Sequence, residues 1–284
     1  MDLSCDLLGF SFLGRSAFPR FVYSGNLGGG SVASYALDYS SGTISSSGSV
    51  AATPGCVAVH PGGQMLYSAN GGANTITSFF VNQSTGSLTS ATSNPATGTS
   101  GLAIDSGGTF LYSLNATTNL VETYLLNALT GSATFVSSTT SGGTGPNFIA
   151  MHGNGQLLYI ANSTAGNVSA FVVNPTTGAV TLLGQSTLAV ARGVAVDPFG
   201  RFVYATDNTS VLKVFRIAAN GSLTQISTVA MECSTRLSQQ HQMVALYTLP
   251  IKRATMCRSF TCRTTAFCLT LRTAPQEVVR LGSA

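Results

Sequence analysis

A repeat of about 45 residues is the feature of this sequence that most limits the folds open to it. Its clearest marker is a tyrosine that returns at spacings of 44, 45, 47 and 45 residues. Three positions after each tyrosine stands an Asn or Asp, and four positions before the last four stands a glycine. The tyrosines are Tyr23, Tyr67, Tyr112, Tyr159 and Tyr204. A period this long and regular indicates stacked copies of one supersecondary unit.

Each repeat has the pattern of four short strands joined by tight turns. In the last copy the strands are predicted at 192–196, 201–205, 211–217 and 222–228, all of them rich in β-branched or aromatic residues. The turns between them contain DPFG at 197–200 and NG at 220–221, and glycine suits the positive φ of such turns. The sequence therefore predicts an all-β fold, a β-propeller of four-stranded antiparallel blades.

Composition agrees with a β-propeller and limits the possible partners. Charged residues make up 8% of the chain, against a usual share of about 25%. Long amphipathic helices need charged residues on their wet face, and a membrane helix needs about 18 apolar residues in a row. We therefore expect no membrane span. The net charge of +4 comes from residues 231–284. The sequence has no stripe of basic residues with interleaved aromatic residues, so nucleic acid is not an expected partner.

The wording of the repeat resembles that of a known family. The segments CVAVHPGGQMLYSAN (56–70), FIAMHGNGQLLYIAN (148–162) and GVAVDPFGRFVYATD (193–207) are similar to those of the lactonase-type seven-bladed propellers. That family includes the propeller 6-phosphogluconolactonases and the related YVTN repeat proteins of cell surfaces. The resemblance implies hydrolysis of a sugar lactone at the channel mouth. The alternative that it implies is a non-catalytic binding or scaffold propeller of the YVTN type.

The repeat covers only part of such a ring. Residues 21–229 hold about 4.6 blades, whereas seven blades need about 315 residues. Residues 1–20 are interpreted as a degenerate N-terminal segment without a secretory signal. An incomplete ring exposes apolar blade faces, so we expect self-association. Low charge and Ser/Thr/Gly-rich loops favour an envelope or secreted location over a cytoplasmic one, without deciding it.

The tail, residues 230–284, is basic and loses the repeat. One interpretation is a metal-binding appendage, although the cysteine spacings match no known knuckle. Its ligands would be His241, Cys257, Cys262 and Cys268. The favoured interpretation is a frameshifted or disordered continuation of a longer propeller. Elsewhere neither a metal site nor a cofactor is expected.

Candidate ligand-binding residues stand just before the inner strands, where propellers bind ligands. They are Gly55, Ser100, Asn147 and Arg192. The guanidinium of Arg192 can bind a carboxylate or phosphate through two hydrogen bonds. The alternative is that Arg192 is only a solvent-exposed residue at the rim of the channel. The side chains of Ser100 and Asn147 can hydrogen-bond sugar hydroxyls.

Histidine is the remaining candidate residue type, and His152 is a possible substrate-binding residue. Family members tend to carry an Arg-His pair where this chain has Asn147 and Phe148, so only His152 matches that motif. However, His60 and His152 occupy the turn position that Asp105 and Asp197 fill in other repeats, which favours turn capping over general-base chemistry. No catalytic residue is assigned from the sequence.

Overall fold

The computed structural model describes residues 21–26, 28–38 and 41–230, together with the backbone of three later strands. The chain divides into two units, Met1–Gln239 and Gln240–Ala284. The N-terminal segment 1–20 lies outside the described residues. So does most of the tail, including His241 and the side chains of Cys257, Cys262 and Cys268, on which the metal-binding interpretation depends.

Five antiparallel sheets follow one another along the first unit, and no helix occurs among its described residues. Blade 1 has three strands, β1 (Phe21–Asn26), β2 (Ser31–Leu37) and β3 (Ile44–Ala51). Blade 2 has β4 (Cys56–Val59), β5 (Met65–Asn70), β6 (Thr75–Val81) and β7 (Leu88–Pro95). Blade 3 has β8 (Thr99–Ile104), β9 (Phe110–Asn115), β10 (Leu120–Leu126) and β11 (Ala133–Thr140).

Two further blades complete the described part of this unit. Blade 4 has β12 (Pro146–Met151), β13 (Leu157–Asn162), β14 (Asn167–Val173) and β15 (Val180–Thr187). Blade 5 has β16 (Ala191–Val196), β17 (Phe202–Asp207), β18 (Val211–Ile217) and β19 (Leu223–Ala230). Strands pair in chain order within each blade, and the first strands of neighbouring blades lie side by side. These sheets confirm the predicted all-β propeller blades, with strand positions in blade 5 within two residues of those expected.

The described residues of the second unit form a small antiparallel sheet. Its strands are β20 (Met243–Tyr247), β21 (Ala254–Arg258) and β22 (Phe267–Thr270), paired in chain order.

The glycine in the turn between the third and fourth strands of a blade joins that blade to the one before it. Gly86, Gly131, Gly178 and Gly221 have φ between 71° and 87°, where a side chain is unfavourable. A Cβ on Gly178 would also lie 2.5 Å from the ring of Phe110, which belongs to blade 3. The repeat therefore keeps glycine here for two reasons, the backbone conformation and the close approach of the preceding blade.

The repeating tyrosine fills the space between blades. Tyr67, Tyr112 and Tyr159 are fully buried within one hydrophobic cluster that runs through blades 2 to 5. The hydroxyl of Tyr159 donates to the backbone oxygen of Gly221 in blade 5 at 3.1 Å, and Tyr23 donates in the same way to Gly86. Burial raises the pKa of Tyr67 to about 12. Tyr23 and Tyr159 thus bond their blades to the next one, whereas the buried hydroxyls of Tyr67 and Tyr112 have no hydrogen-bond partner among the described residues.

Candidate functional site

The first strand of each four-stranded blade is its inner strand. The inner strands of blades 3, 4 and 5 each contain a β-bulge at their second residue. In β8 the pairing passes from Thr99 to Gly101, so that Ser100 has no partner in β9. The same irregularity leaves Asn147 unpaired in β12 and Arg192 unpaired in β16. A bulged residue is unpaired in the hydrogen-bond ladder, and the bulge changes the direction of its side chain relative to the regular alternation along the strand. The structure therefore places three of the four predicted site residues at equivalent bulges on consecutive blades.

The three bulge residues differ in how far their side chains are already engaged. Ser100 is half-buried, and its hydroxyl donates to the backbone oxygen of Pro146 at 2.8 Å, which links β8 to β12. Asn147 is half-buried and Arg192 is exposed. Neither has a side-chain hydrogen bond or ion pair within the described part of the chain. Asn147 and Arg192 are therefore free to contact a ligand, whereas the proton of Ser100 is used within the fold.

His152 lies at the other end of the inner strand from Asn147. It follows Met151, the last residue of β12, so that about five residues of extended chain, or roughly 16 Å, separate the two. The nitrogen Nδ1 of His152 accepts a hydrogen bond from the backbone N–H of Asn154 at 3.1 Å. Its Nε2 lies 3.1 Å from the backbone oxygen of Gly200 in blade 5. Only the neutral tautomer with the proton on Nε2 satisfies both contacts.

The other residues of the same column have related contacts. His60 accepts from the N–H of Gly62 at 3.0 Å and contacts the backbone oxygen of Gly108, in blade 3, at 2.9 Å. The carboxylates of Asp105 and Asp197 instead accept from backbone N–H groups at the start of the next strand in their own blade. All four residues therefore cap a turn, and the two histidines also join neighbouring blades. This arrangement separates His152 from the bulge residues.

Blade 5 carries every basic residue of the first unit that the structure describes. They are Arg192, Arg201, Lys213 and Arg216. Arg201 lies 3.4 Å from the carboxylate of Asp197, and Lys213 donates to the backbone oxygen of Thr187 at 3.0 Å. Arg192 is the one basic residue among these four that stands on an inner strand. Positive charge is thus confined to one side of the described inner surface.

A buried carboxylate in blade 3 was not anticipated from the sequence. Glu122 accepts hydrogen bonds from the side-chain amide of Asn115 at 2.8 Å and from the hydroxyl of Tyr124 at 2.6 Å. Burial, together with that hydrogen bond and the charge of Glu122, raises the pKa of Tyr124. Glu122 lies on β10, the third strand of its blade, and both of its oxygens are engaged. Its hydrogen bonds therefore lie within blade 3, and it does not belong to the inner surface.

The described residues contain no group of three or more metal-ligating side chains. Nor does any helix within them have the length and hydropathy needed to cross a bilayer.

A bladed all-β fold whose inner strands carry polar side chains at equivalent bulges defines the chain as a β-propeller. The sequence matches the family described as lactonase, 7-bladed β-propeller, over residues 20–198, which is more than half of the chain. The chain therefore belongs to the lactonase family of seven-bladed β-propellers.

Solved structures with the same fold come from several bacteria. A protein from Lactobacillus plantarum is 20% identical with a TM-score of 0.67, over 94% of this chain and 85% of that one. A proposed 6-phosphogluconolactonase from Bacteroides fragilis is 16% identical with a TM-score of 0.66, over 90% and 82%. The periplasmic gluconolactonase of Pseudomonas aeruginosa is 20% identical with a TM-score of 0.62, over 74% and 67%. No curated protein matches the chain. Likeness at these identities establishes the fold alone.

Proposed function

We propose that this propeller hydrolyses a sugar lactone at the mouth of its channel. The observation that carries the proposal is the pair of unengaged side chains, Asn147 and Arg192, at equivalent bulges of neighbouring inner strands. The bacterial relatives described as gluconolactonases give the reaction class. The substrate class is a lactone of an aldonic acid, with or without a phosphate.

Arg192 and Asn147 have distinct roles in the proposed reaction. Water adds to the lactone carbonyl carbon, and the carbonyl oxygen becomes an alkoxide that the guanidinium of Arg192 stabilises. The bond from that carbon to the ring oxygen then breaks, and the ring oxygen takes up the proton that the attacking water gives up. The amide of Asn147 orients the sugar through its hydroxyls. The single product is the open-chain sugar acid, which carries a new hydroxyl group at the former ring oxygen.

Substitution of Arg192 tests the proposal directly. Acid release from glucono-1,5-lactone and from its 6-phosphate is measured above the spontaneous rate. We expect Arg192→Ala to lower kcat/KM by about 10- to 100-fold, or about 1.4–2.7 kcal/mol, because one charge-stabilising donor is lost. Arg216→Ala is the matched control, since it removes an exposed arginine of the same blade from the third strand, and it should retain full activity.

The alternative function is a non-catalytic binding or scaffold propeller. The observation that favours it is the pair Asn147 and Phe148, which stands where lactonase-type sequences tend to carry Arg-His. Phe148 is buried and carries no group for acid–base chemistry. Wild-type protein that binds 6-phosphogluconate but releases acid no faster than buffer would establish this alternative. Equal losses in Arg192→Ala and Arg216→Ala would also contradict the catalytic role, since the effect would then reflect overall charge.

A further inference from the structure

The loop that leads into Arg192 differs from the loops that lead into the other two bulges. Two residues before the bulge, blades 3 and 4 have Gly98 and Gly145 with φ of 60° and 67°. Blade 5 has Val190 at this position, with φ of 45°. The left-handed conformation is open to glycine but unfavourable for a β-branched residue, whose second γ carbon crowds the backbone. Val190 is therefore a strained residue next to the proposed ligand-binding arginine.

The residue that faces this loop changes in blade 4 as well. In blades 2 and 3 the hairpin between the second and third strands contains Asn74 and Asn119. Their side-chain oxygens accept hydrogen bonds from the backbone N–H of Gly98 at 3.1 Å and of Gly145 at 2.7 Å. The Asn side chain of one blade thus holds the glycine loop of the next.

Blade 4 has Gly166 at the equivalent position, with φ of 66°. A Cβ on Gly166 would lie 3.2 Å from the backbone oxygen of Leu188 and 3.6 Å from the nitrogen of Val190. The loop into Arg192 therefore passes close to Gly166, and no Asn side chain among the described residues accepts from its backbone N–H as in the two preceding loops. The hairpin residue and the loop residue that faces it are thus Asn and Gly between blades 2 and 3 and between blades 3 and 4, but Gly and Val between blades 4 and 5.

Two anchors hold this loop in place on the side of Val190 away from Arg192. Leu188 is 1% exposed, and its backbone N–H donates to the oxygen of Gly166 at 2.9 Å. Lys213 donates to the backbone oxygen of Thr187 at 3.0 Å. Strained backbone persists where the surrounding structure over-determines it, and it is concentrated at ligand-binding sites.

We propose that Val190 is a positioning residue for Arg192. This inference rests on the proposed function. The strained conformation of Val190, packed close to Gly166, fixes the course of the backbone bulge from which Arg192 projects toward the carboxylate or phosphate of a sugar acid. The left-handed conformation with a stiff side chain allows the loop fewer alternatives than glycine would, so the bulge is held in one orientation.

An exchange of residues between loops tests this role. The double variant Gly166→Asn/Val190→Gly reproduces the pairing found in the two preceding loops. We expect its Tm to rise by about 2–4 °C, because the strain is removed, and its affinity for 6-phosphogluconate in calorimetry to fall at least about fivefold. The single variant Val190→Gly should show the same affinity loss. Val190→Asn tolerates the left-handed conformation without the freedom of glycine, and it should bind within about twofold of wild type.

The outcomes separate this inference from the proposed function. A double variant and a Val190→Gly variant that both bind as tightly as wild type would overturn the positioning role, whatever their Tm. Loss of binding in Val190→Asn equal to that in Val190→Gly would also overturn it, because freedom of the loop would then not be the cause. Unchanged binding in Arg192→Ala would also overturn the inference, whereas the proposed function is overturned by wild-type protein that releases acid no faster than buffer.

Discussion

The two ends of the inner strands show how one repeat serves two purposes. At the end where His152 stands, the side chain at the His/Asp position caps its turn in blades 2 to 5, and both histidines also bond to the next blade. At the opposite end, the equivalent positions hold Gly55, Ser100, Asn147 and Arg192, four different residues. Positions that repeat nearly unchanged from blade to blade hold the blades together. Of the positions that differ between blades, Asn147 and Arg192 have side chains without a hydrogen bond or ion pair within the described part of the chain.

The largest test of this contrast concerns the tyrosine column. Burial raises the pKa of the five repeating tyrosines, Tyr23, Tyr67, Tyr112, Tyr159 and Tyr204, above the ordinary value of 10. The unfolded chain therefore releases these protons at a lower pH than the folded chain does. The stabilisation that these tyrosines contribute is fully present below pH 10, and it is lost as pH rises through their pKa values in the folded protein. Each tyrosine contributes a loss of up to about 1.4 kcal/mol per pH unit, starting near pH 10.

Urea unfolding at pH 8, 9, 10 and 11, followed together with tyrosinate absorbance, measures this effect. We expect the urea midpoint to be constant up to about pH 9.5 and then to fall steeply, with the tyrosinate of the repeating tyrosines appearing together with unfolding. Tyrosinate that forms in the folded protein near pH 10 and is lost in Tyr159→Phe would show that these tyrosines are not sealed between blades.

The next largest effect concerns the turn glycines. Gly178 and Gly42 have the same φ of 71°, but a Cβ on Gly178 meets the ring of Phe110 and one on Gly42 meets nothing within 4 Å. We expect Gly178→Ala to destabilise by about 3 kcal/mol, from backbone strain and overpacking together. Gly42→Ala should cost about 1 kcal/mol, from backbone strain alone. Equal losses in thermal or urea unfolding would mean that the contact between blades adds nothing.

Much of this arrangement was predictable from the sequence, because the period places equivalent residues in register. The strands, their order and the turn-capping column follow from the spacing of Tyr159, Asn162 and their equivalents. The bulges do not follow from it, because Asn147 continues an ordinary strand pattern and its unpaired state depends on the loop before it. The strain at Val190 had a signal, since Gly98 and Gly145 stand at the same place in other repeats. The bond from His152 to Gly200 is visible only once blades are placed side by side.

Substitution of His152 has a smaller effect and tests the opposite end of the strand. We expect His152→Ala to destabilise by about 1–2 kcal/mol, because a turn cap and a bond between blades are both lost. His152→Asp should recover part of this loss, because Asp105 and Asp197 cap the same turn in other blades. Neither variant should change kcat/KM for lactone hydrolysis by more than about twofold. A large fall in kcat/KM at unchanged Tm would place His152 in the site after all.

The smallest effect concerns the first residue of the outer strand, whose burial differs between blades. Ile44 in blade 1 is 56% exposed, whereas Ala133 and Val180, which hold the same register position in blades 3 and 4, are 6% and 7% exposed. We propose that this face promotes self-association. Ile44→Thr should then weaken self-association, measured by sedimentation velocity, by a few-fold at most. The reason is that burial of this one side chain contributes only about 1 kcal/mol to the free energy of association. Leu129→Thr is the control, since Leu129 is 88% exposed in a turn of blade 3 and should have no effect. Equal weakening in both variants would mean that general surface hydropathy, and not the uncovered blade face, drives association.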